Sequence, residues 1–439
     1  MKNMKKLLPV IMMGLLALAW YSFFSGTVDK AAEHDQWMQK AQASIEDRLY
    51  EQAIEYYKEA LKYSADEEVY LLIQQSYELL YGEEHTAYFR SSYIEDMAAA
   101  ALAFPENETF WMKQVELYTE EQNTNQAFYT LKKAMNHGVA SELMQSMYKE
   151  LLYKVKTDYK QYTAFKTALN GYITVCDGDS WFVVDNMGDA LTGNYRFIGL
   201  LNGKGRGIYT NSIDTRLLDH KEVARARYDI EVEEAGYFNE SVQLVPVKID
   251  GVWKYMNIDG EFLPGTFETA GSYDAGQAAA KTKSGWVILD PTGAQTKLDF
   301  EDVKLDLYDC HIQNGLILAK KNGAYHLYDL EFTQIGDFAA EDIDICIDPV
   351  GIAFQQNGKW GFVNSEGTIV VAPQYANAKS FANGYAAVCN EKGLWGFIND
   401  EFELVIDYTY LDVHYFTSDQ TCLVSEEEGY VQFMEFVFQ

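Results

Sequence analysis

A chain of 439 residues with 32 Tyr and 24 Phe is long enough for two or three domains and too aromatic for a disordered tail. Its formal net charge of −31 excludes a general nucleic-acid partner, because binding a polyanion needs a basic face that releases counterions from phosphate.

The first predicted element, residues 1–26, reads as a signal anchor. Lys2, Lys5 and Lys6 precede an uncharged apolar run from Leu7 to Phe24, 18 residues that just reach across a hydrocarbon core. Lysines on the N-terminal side orient that end toward the cytoplasm and export the remainder. Ala17-Leu18-Ala19 would also serve as a cleavage site. The apolar run continues past it through Trp20, Tyr21, Phe23 and Phe24, however, and Trp and Tyr suit the lipid–water interface. A single-pass membrane anchor is therefore the preferred reading, with secretion after cleavage as the alternative. No cysteine lies here, which excludes a lipoprotein anchor. Both readings put residues 27–439 outside the cytoplasm.

Residues 30–168 follow as helices with a recurring plan. In "WMQKAQASIEDRLYEQAIEYYKEAL", Trp37 is followed by Ala41, Ala53, Tyr57, Ala60 and Leu61 at helical spacing. "WMKQVELYTEEQNTNQAFYTLKKAM" repeats this with Trp111, Ala127, Leu131 and Ala134, two steps of 37 residues further on. A middle unit runs through "YIEDMAAAALAFP", and a fourth helix pair is expected over 141–168. Small residues let helices approach closely, and units that cannot bury an apolar face alone must stack. This part resembles tetratricopeptide repeats, on Trp37, Ala41, Ala53, Tyr57, Ala60, Trp111, Ala127 and Ala134. The resemblance implies a scaffold with a concave face for a peptide. A plain helical spacer is the alternative.

Residues 171–439 repeat one phrase: a strand, a turn with Gly, a bulky aromatic, and a second strand ending in Asn or Asp. The structural anchors of this series are Trp181, Trp253, Trp286, Tyr325, Trp360, Trp395 and Tyr430, with a weaker copy near Ile208. Eight β-hairpins result. Asp250-Gly251, Asn322-Gly323 and Asn357-Gly358 are the dipeptides of two-residue hairpin turns. The aromatics beside them are expected to pack between neighbouring units, since a lone hairpin is marginal in water.

The stretch "GKWGFVNSEGTIVVAPQYANAKSFANGYAAVCNEKGLWGF" closely resembles the WG-repeat family of bacterial proteins, and weaker copies extend the likeness over the back half. The resemblance implies a repeat-built, commonly exported β domain with an interaction role, and no catalytic residues. The expected fold is α + β multidomain: helical repeats, then an antiparallel β-propeller of 7–8 blades, with an open β-solenoid as the alternative.

Little in the sequence points to reaction chemistry. The seven histidines show no ligand spacing, and the five cysteines are scattered, odd in number and without metal-type spacing, so neither metal nor cofactor is expected. "GLLNGKGRG" lacks the Gly-Lys-Ser/Thr ending of a phosphate loop. The 45-residue step from Ile208 to Trp253 suggests an insertion of about ten residues, and insertions map to binding loops. Lys204, Arg206, Arg216, Lys221, Arg225 and Arg227 concentrate there with only Asp214, Asp219 and Glu222 as acids, a candidate patch for an anionic ligand. A solvated short helix with internal ion pairs is the plainer reading of the same residues. The leading functional expectation is a membrane-tethered, non-catalytic interaction scaffold for a protein, a peptide or a cell-wall polymer. A glycan-directed envelope enzyme and a structural spacer are the alternatives.

Overall fold

In the computed structural model, residues 30–84, 89–166, 169, 171–211 and 214–438 are described. The apolar segment at 1–26 lies outside them. Among the described residues no helix is long and apolar enough to cross a membrane. The chain divides into a helical unit ending at Leu152 and a β unit beginning at Tyr153.

Seven helices are seen in the first unit: α1 (30–46), α2 (Tyr50–Leu61), α3 (Glu67–Glu84), α4 (Arg90–Ala103), α5 (Glu108–Glu120), α6 (Thr124–Asn136) and α7 (Glu142–Leu152). Each packs on its neighbours through one apolar stripe. On α2 the stripe is Tyr50, Ala53, Ile54, Tyr57 and Ala60, spaced by three and four. Ala41, Ala53 and Ala60 are fully buried, and such small side chains let helices close up around the buried rings of Tyr57 and Trp111. Trp37 is only half-buried and lies against Tyr56 at 5.6 Å. Asn107 and Asn123 start α5 and α6 by accepting the amides of Thr109 and Gln126.

The fourth helix pair expected over 141–168 is a single helix, α7. Beyond it Val155–Thr157 and Ala164–Lys166 are strands. Val155, Thr157 and Phe165 are β-formers, and their pairing partners decide the matter. Val155 stands opposite Phe436, and Phe165 opposite Val175.

The β unit is an eight-bladed propeller. The central hairpins of its blades, in chain order, are Ile173–Cys176 with Trp181–Val184, Gly207–Asn211 with Asp214–Leu218, Leu244–Ile249 with Val252–Asn257, and Ala278–Thr282 with Gly285–Leu289. Then follow Ile317–Lys321 with Ala324–Tyr328, Ile352–Gln356 with Lys359–Val363, Tyr385–Cys389 with Trp395–Asn399, and Thr421–Ser425 with Gln432–Phe436. A short innermost strand precedes each hairpin, and in blades 1–7 an outer strand or a pair of bridges follows it. Blade 7 shows the full pattern, with Asn377–Ala378 inside and Leu404–Tyr410 outside. Thirty-five residues suffice because most innermost strands are two residues long. In blades 1, 3 and 5 the outer strand is reduced to two bridges, such as Trp253↔Phe267 and Met256↔Phe262. Val155–Thr157 completes blade 8 from the start of the unit, so the ring closes and no long edge stays open.

Local chemistry repeats with the blades. Asp250-Gly251, Asn322-Gly323 and Asn357-Gly358 have positive φ at both positions, as the primed hairpin turn requires. Glu233, Glu301 and Glu341, just before the innermost strands, accept the amides of Gly251, Gly323 and Gly358 at 3.1–3.2 Å. After the hairpin, the side chain of Asn257, Asp290, Asp329, Asn364 or Asn399 accepts amides two and four residues on, which turns the chain into the outer strand. The glycine of the Trp-Gly pair has a packing reason. A Cβ on Gly396 would lie 2.5 Å from the Ile406 carbonyl oxygen, where a bulged outer strand passes over it. Apolar clusters lie between blades: Leu244 and Tyr255 of blade 3, for example, meet Ala278, Ala280, Val287 and Leu289 of blade 4.

Candidate functional site

The register of the sheets defines the aromatic slot. Each anchor sits near the start of the third strand and faces one residue of the outer strand: Trp181↔Tyr195, Trp253↔Phe267, Tyr325↔Ala340, Trp360↔Tyr375 and Trp395↔Tyr410. Trp286 accepts the amide of Leu298 in the same relation. Trp286, Tyr325 and Trp395 are buried, whereas Trp181, Trp253 and Trp360 are half-buried. Lysines lie over several of these rings, Lys166 over Trp181 at 4.8 Å and Lys379 over Trp395 at 5.6 Å.

Two assignments shift. In blade 2 the slot is held by Thr215, which faces Tyr228; Ile208 lies on the preceding strand, opposite Leu217. The step from the slot to Trp253 is then 38 residues, so the insertion expected there is largely a misplaced anchor. In blade 8 the slot is held by Val431, which faces Tyr162. Tyr430, one residue earlier, is 41% exposed, because strand alternation turns it away from the blade.

The basic patch is built on strands and not on a helix. Asp214–Leu218 pairs with Ala224–Tyr228, putting Arg216 opposite Arg227. Both guanidiniums share Asp214, at 2.6 and 2.7 Å. The Arg216 hydrogen bond holds that carboxyl below its usual range. Arg206 and Arg225 share Glu240 in the same way, and their charges outweigh the burial that would push its pKa up. Lys204 and Lys221 form no ion pair among the described residues; their backbone amides close turns on Asn202 and Asp219. The six residues thus resolve into two carboxylate-centred arginine pairs and two exposed lysines.

A ring absent from the sequence reading surrounds the propeller axis. The third residue counted from the start of each innermost strand is Lys166, Gly199, Gly236, Gly271, Lys304, Asp344, Lys379 or His414, in blade order. The lysines reach to the next blade: Lys166 donates to the Ile198 carbonyl at 2.7 Å, Lys379 to that of Val413 at 2.6 Å, and Lys304 pairs with Asp342. Burial pulls Lys166 down to about 8 and His414 to about 3. Asp344 accepts the Ser380 amide and the Tyr415 hydroxyl, tying blades 6, 7 and 8 together. Lys166, Lys304, Asp344 and Lys379 thus clamp neighbouring blades together.

The helical unit carries an open groove of about 710 Å³. Thr109, Met112, Glu116 and Thr119 succeed one another along one face of α5, and Met147 of α7 adds to the lining. Leu143, one turn before Met147, is 59% exposed. Lys113 is held between Glu78 at 3.2 Å and Glu116 at 2.6 Å, and Glu120 pairs with Arg90, so among the described residues Glu108, which accepts the Ser141 hydroxyl, is the lining carboxylate without an ion pair. Among the described residues no three His, Cys, Asp or Glu side chains stand close enough to hold a metal ion, and all five cysteines are buried and unpaired.

The family model described as WG containing repeat matches residues 360–393 and 395–430, from the third strand of blade 6 to the turn of the blade 8 hairpin. No curated protein sequence matches the chain. Among solved structures it is similar to Kluyveromyces lactis Hsv2, at 8% identity and a TM-score of 0.34 over 58% of this chain and 86% of that one. It is also similar to the Pan2 WD40 domain of Neurospora crassa, at 12% identity and a TM-score of 0.34 over 66% and 90%.

Proposed function

We propose that this protein is a non-catalytic interaction scaffold whose helical unit binds a short peptide segment of a protein partner. The observation that carries this reading is the α5–α7 groove. Methionines line it, and their flexible thioethers adapt to varied apolar side chains. Glu108 at its edge and the chain's −31 charge favour a peptide with basic residues flanking an apolar core. The stacked helices act as tetratricopeptide-type repeats do, and the closed propeller is a rigid second platform. The N-terminal lysines and apolar run support an extracytoplasmic, membrane-tethered placement; a cell-wall polymer is the less favoured ligand.

The test is selection of peptides from a displayed library against the full chain, with Met112→Glu as counter-target. Apolar–basic sequences should be enriched and should lose binding to the variant. Peptides that bind the variant equally well would refute the groove as their site. Hydrolysis of any selected ligand would refute the non-catalytic reading.

A further inference from the structure

Blade 5 has a long loop after its innermost strand, residues 304–315, and Asp309 lies within it at a φ of +60°. Its position is fixed by its neighbours. The Ser272 amide donates to the Asp309 carbonyl at 2.7 Å, and a Cβ on Gly271 would meet that carbonyl oxygen at 2.8 Å. The side chain turns toward blade 3, where a Cβ on Gly236 would lie 3.5 Å from its Oδ2. Beyond lie Glu234 and Lys166, on the innermost strands of blades 3 and 1, close enough to act on its charge. Asp309 is half-buried, flanked by protein and still open to solvent.

This carboxylate has no hydrogen-bond or ion-pair partner among the described residues. The nearest buried cation does not supply one: Lys166 donates to Ile198 and sits 4.0 Å over the Phe197 ring. On the same loop, Asp306 accepts the amides of Tyr308 and Cys310 through Oδ1. The rings of Tyr237, next to Gly236, and Tyr308, next to Asp309 in the chain, stand edge to face 6.1 Å apart, and both lie close enough to Asp306 to feel its charge. Burial pushes Asp309 up to about 7 and Asp306 to about 6, the response of carboxylates lacking a counter-charge. The carboxylates do not converge as a metal site would. A single ammonium group needs only one or two carboxylates and an aromatic face.

We propose that Asp309, Asp306, Tyr237 and Tyr308 form a recognition site for a protonated primary amine of the lysine side-chain type. The ammonium pairs with Asp309, and the tyrosine rings flank its methylene stem. This site belongs to the propeller and stands or falls independently of the helical groove.

The test is calorimetric titration of the full chain at about 150 mM salt, which screens general attraction to an acidic surface. The probes are Nα-acetyl-lysine methylamide, its norleucine analogue and n-butylamine. The lysine amide should bind saturably and the norleucine analogue should not. Asp309→Asn should weaken binding by about tenfold or more, as expected for loss of a charged partner. Asp259→Asn, an exposed control in blade 3, should change nothing. Tighter binding of the lysine amide than of butylamine would assign the amine to a peptide, and equal binding to a free amine. Unchanged affinity in Asp309→Asn would overturn the proposal. So would equal binding of the norleucine analogue, or no saturation by either amine up to about 10 mM.

Discussion

Val155 and Phe436 stand opposite each other in an antiparallel ladder, so the last blade is completed by a strand from the beginning of the β unit. Phe436 also stacks on Phe416 at 5.5 Å and leans on Tyr385 at 5.2 Å, joining the closing strands to blade 7. Phe436→Ala is expected to cost about 3–5 kcal/mol, the range for truncating a buried aromatic. Denaturant titration followed by tryptophan fluorescence checks this, because the slot tryptophans report on the blades. An unchanged midpoint would mean that the ring does not depend on its closing strand.

The slot register makes a paired prediction. Trp395→Ala should destabilise by about 3–5 kcal/mol, because the ring is buried against Tyr410. Tyr430→Ala should stay within about 0.5 kcal/mol, as an exposed side chain outside the slot. Equal losses in denaturation midpoint would return Tyr430 to the anchor series.

Gly396→Ala is expected to cost about 1–3 kcal/mol by forcing a Cβ against the Ile406 carbonyl. Thermal unfolding of this variant beside Gly393→Ala separates packing from backbone strain, since Gly393 has a φ of +79° and open space around it. A neutral Gly396→Ala would leave the Trp-Gly pair without its packing explanation.

Stability should also depend on pH through Asp309. Its carboxyl titrates at about 7 in the fold and near 4 when unfolded, so between those values the native state holds a proton that the unfolded chain has released. Stability from this group therefore falls as pH rises from about 4 to about 7, and its cost is complete above that. Asp309→Asn should match the parent near pH 4 and exceed it near pH 8 in chemical denaturation. A variant less stable at pH 8 would show that the carboxylate has a stabilising partner.

The blades were legible where a bulky ring and an Asn-Gly turn recur, as at Trp360 and Trp395. Legibility failed where the slot holds a small residue. Thr215 and Val431 carry no ring, so the pattern slid to Ile208 and Tyr430, and the apparent insertion around the arginines followed from the first slip. The end of the helical unit escapes local patterns because Val155–Thr157 becomes a strand through a partner near the far end of the chain, a non-local pairing. The axial ring of Lys, Gly, Asp and His shares position without sharing chemistry, so only the sheet register exposes it. Asp309 carries no motif. Its meaning lies in what the fold leaves unpaired around it.

The claim that a peptide seats along α5 and α7 is tested most directly by hydrogen–deuterium exchange of the full chain with and without a selected peptide. Slowed exchange is expected within residues 108–120 and 142–152, and it should vanish in Met112→Glu. Protection confined to the propeller, or protection that persists in the variant, would contradict the account.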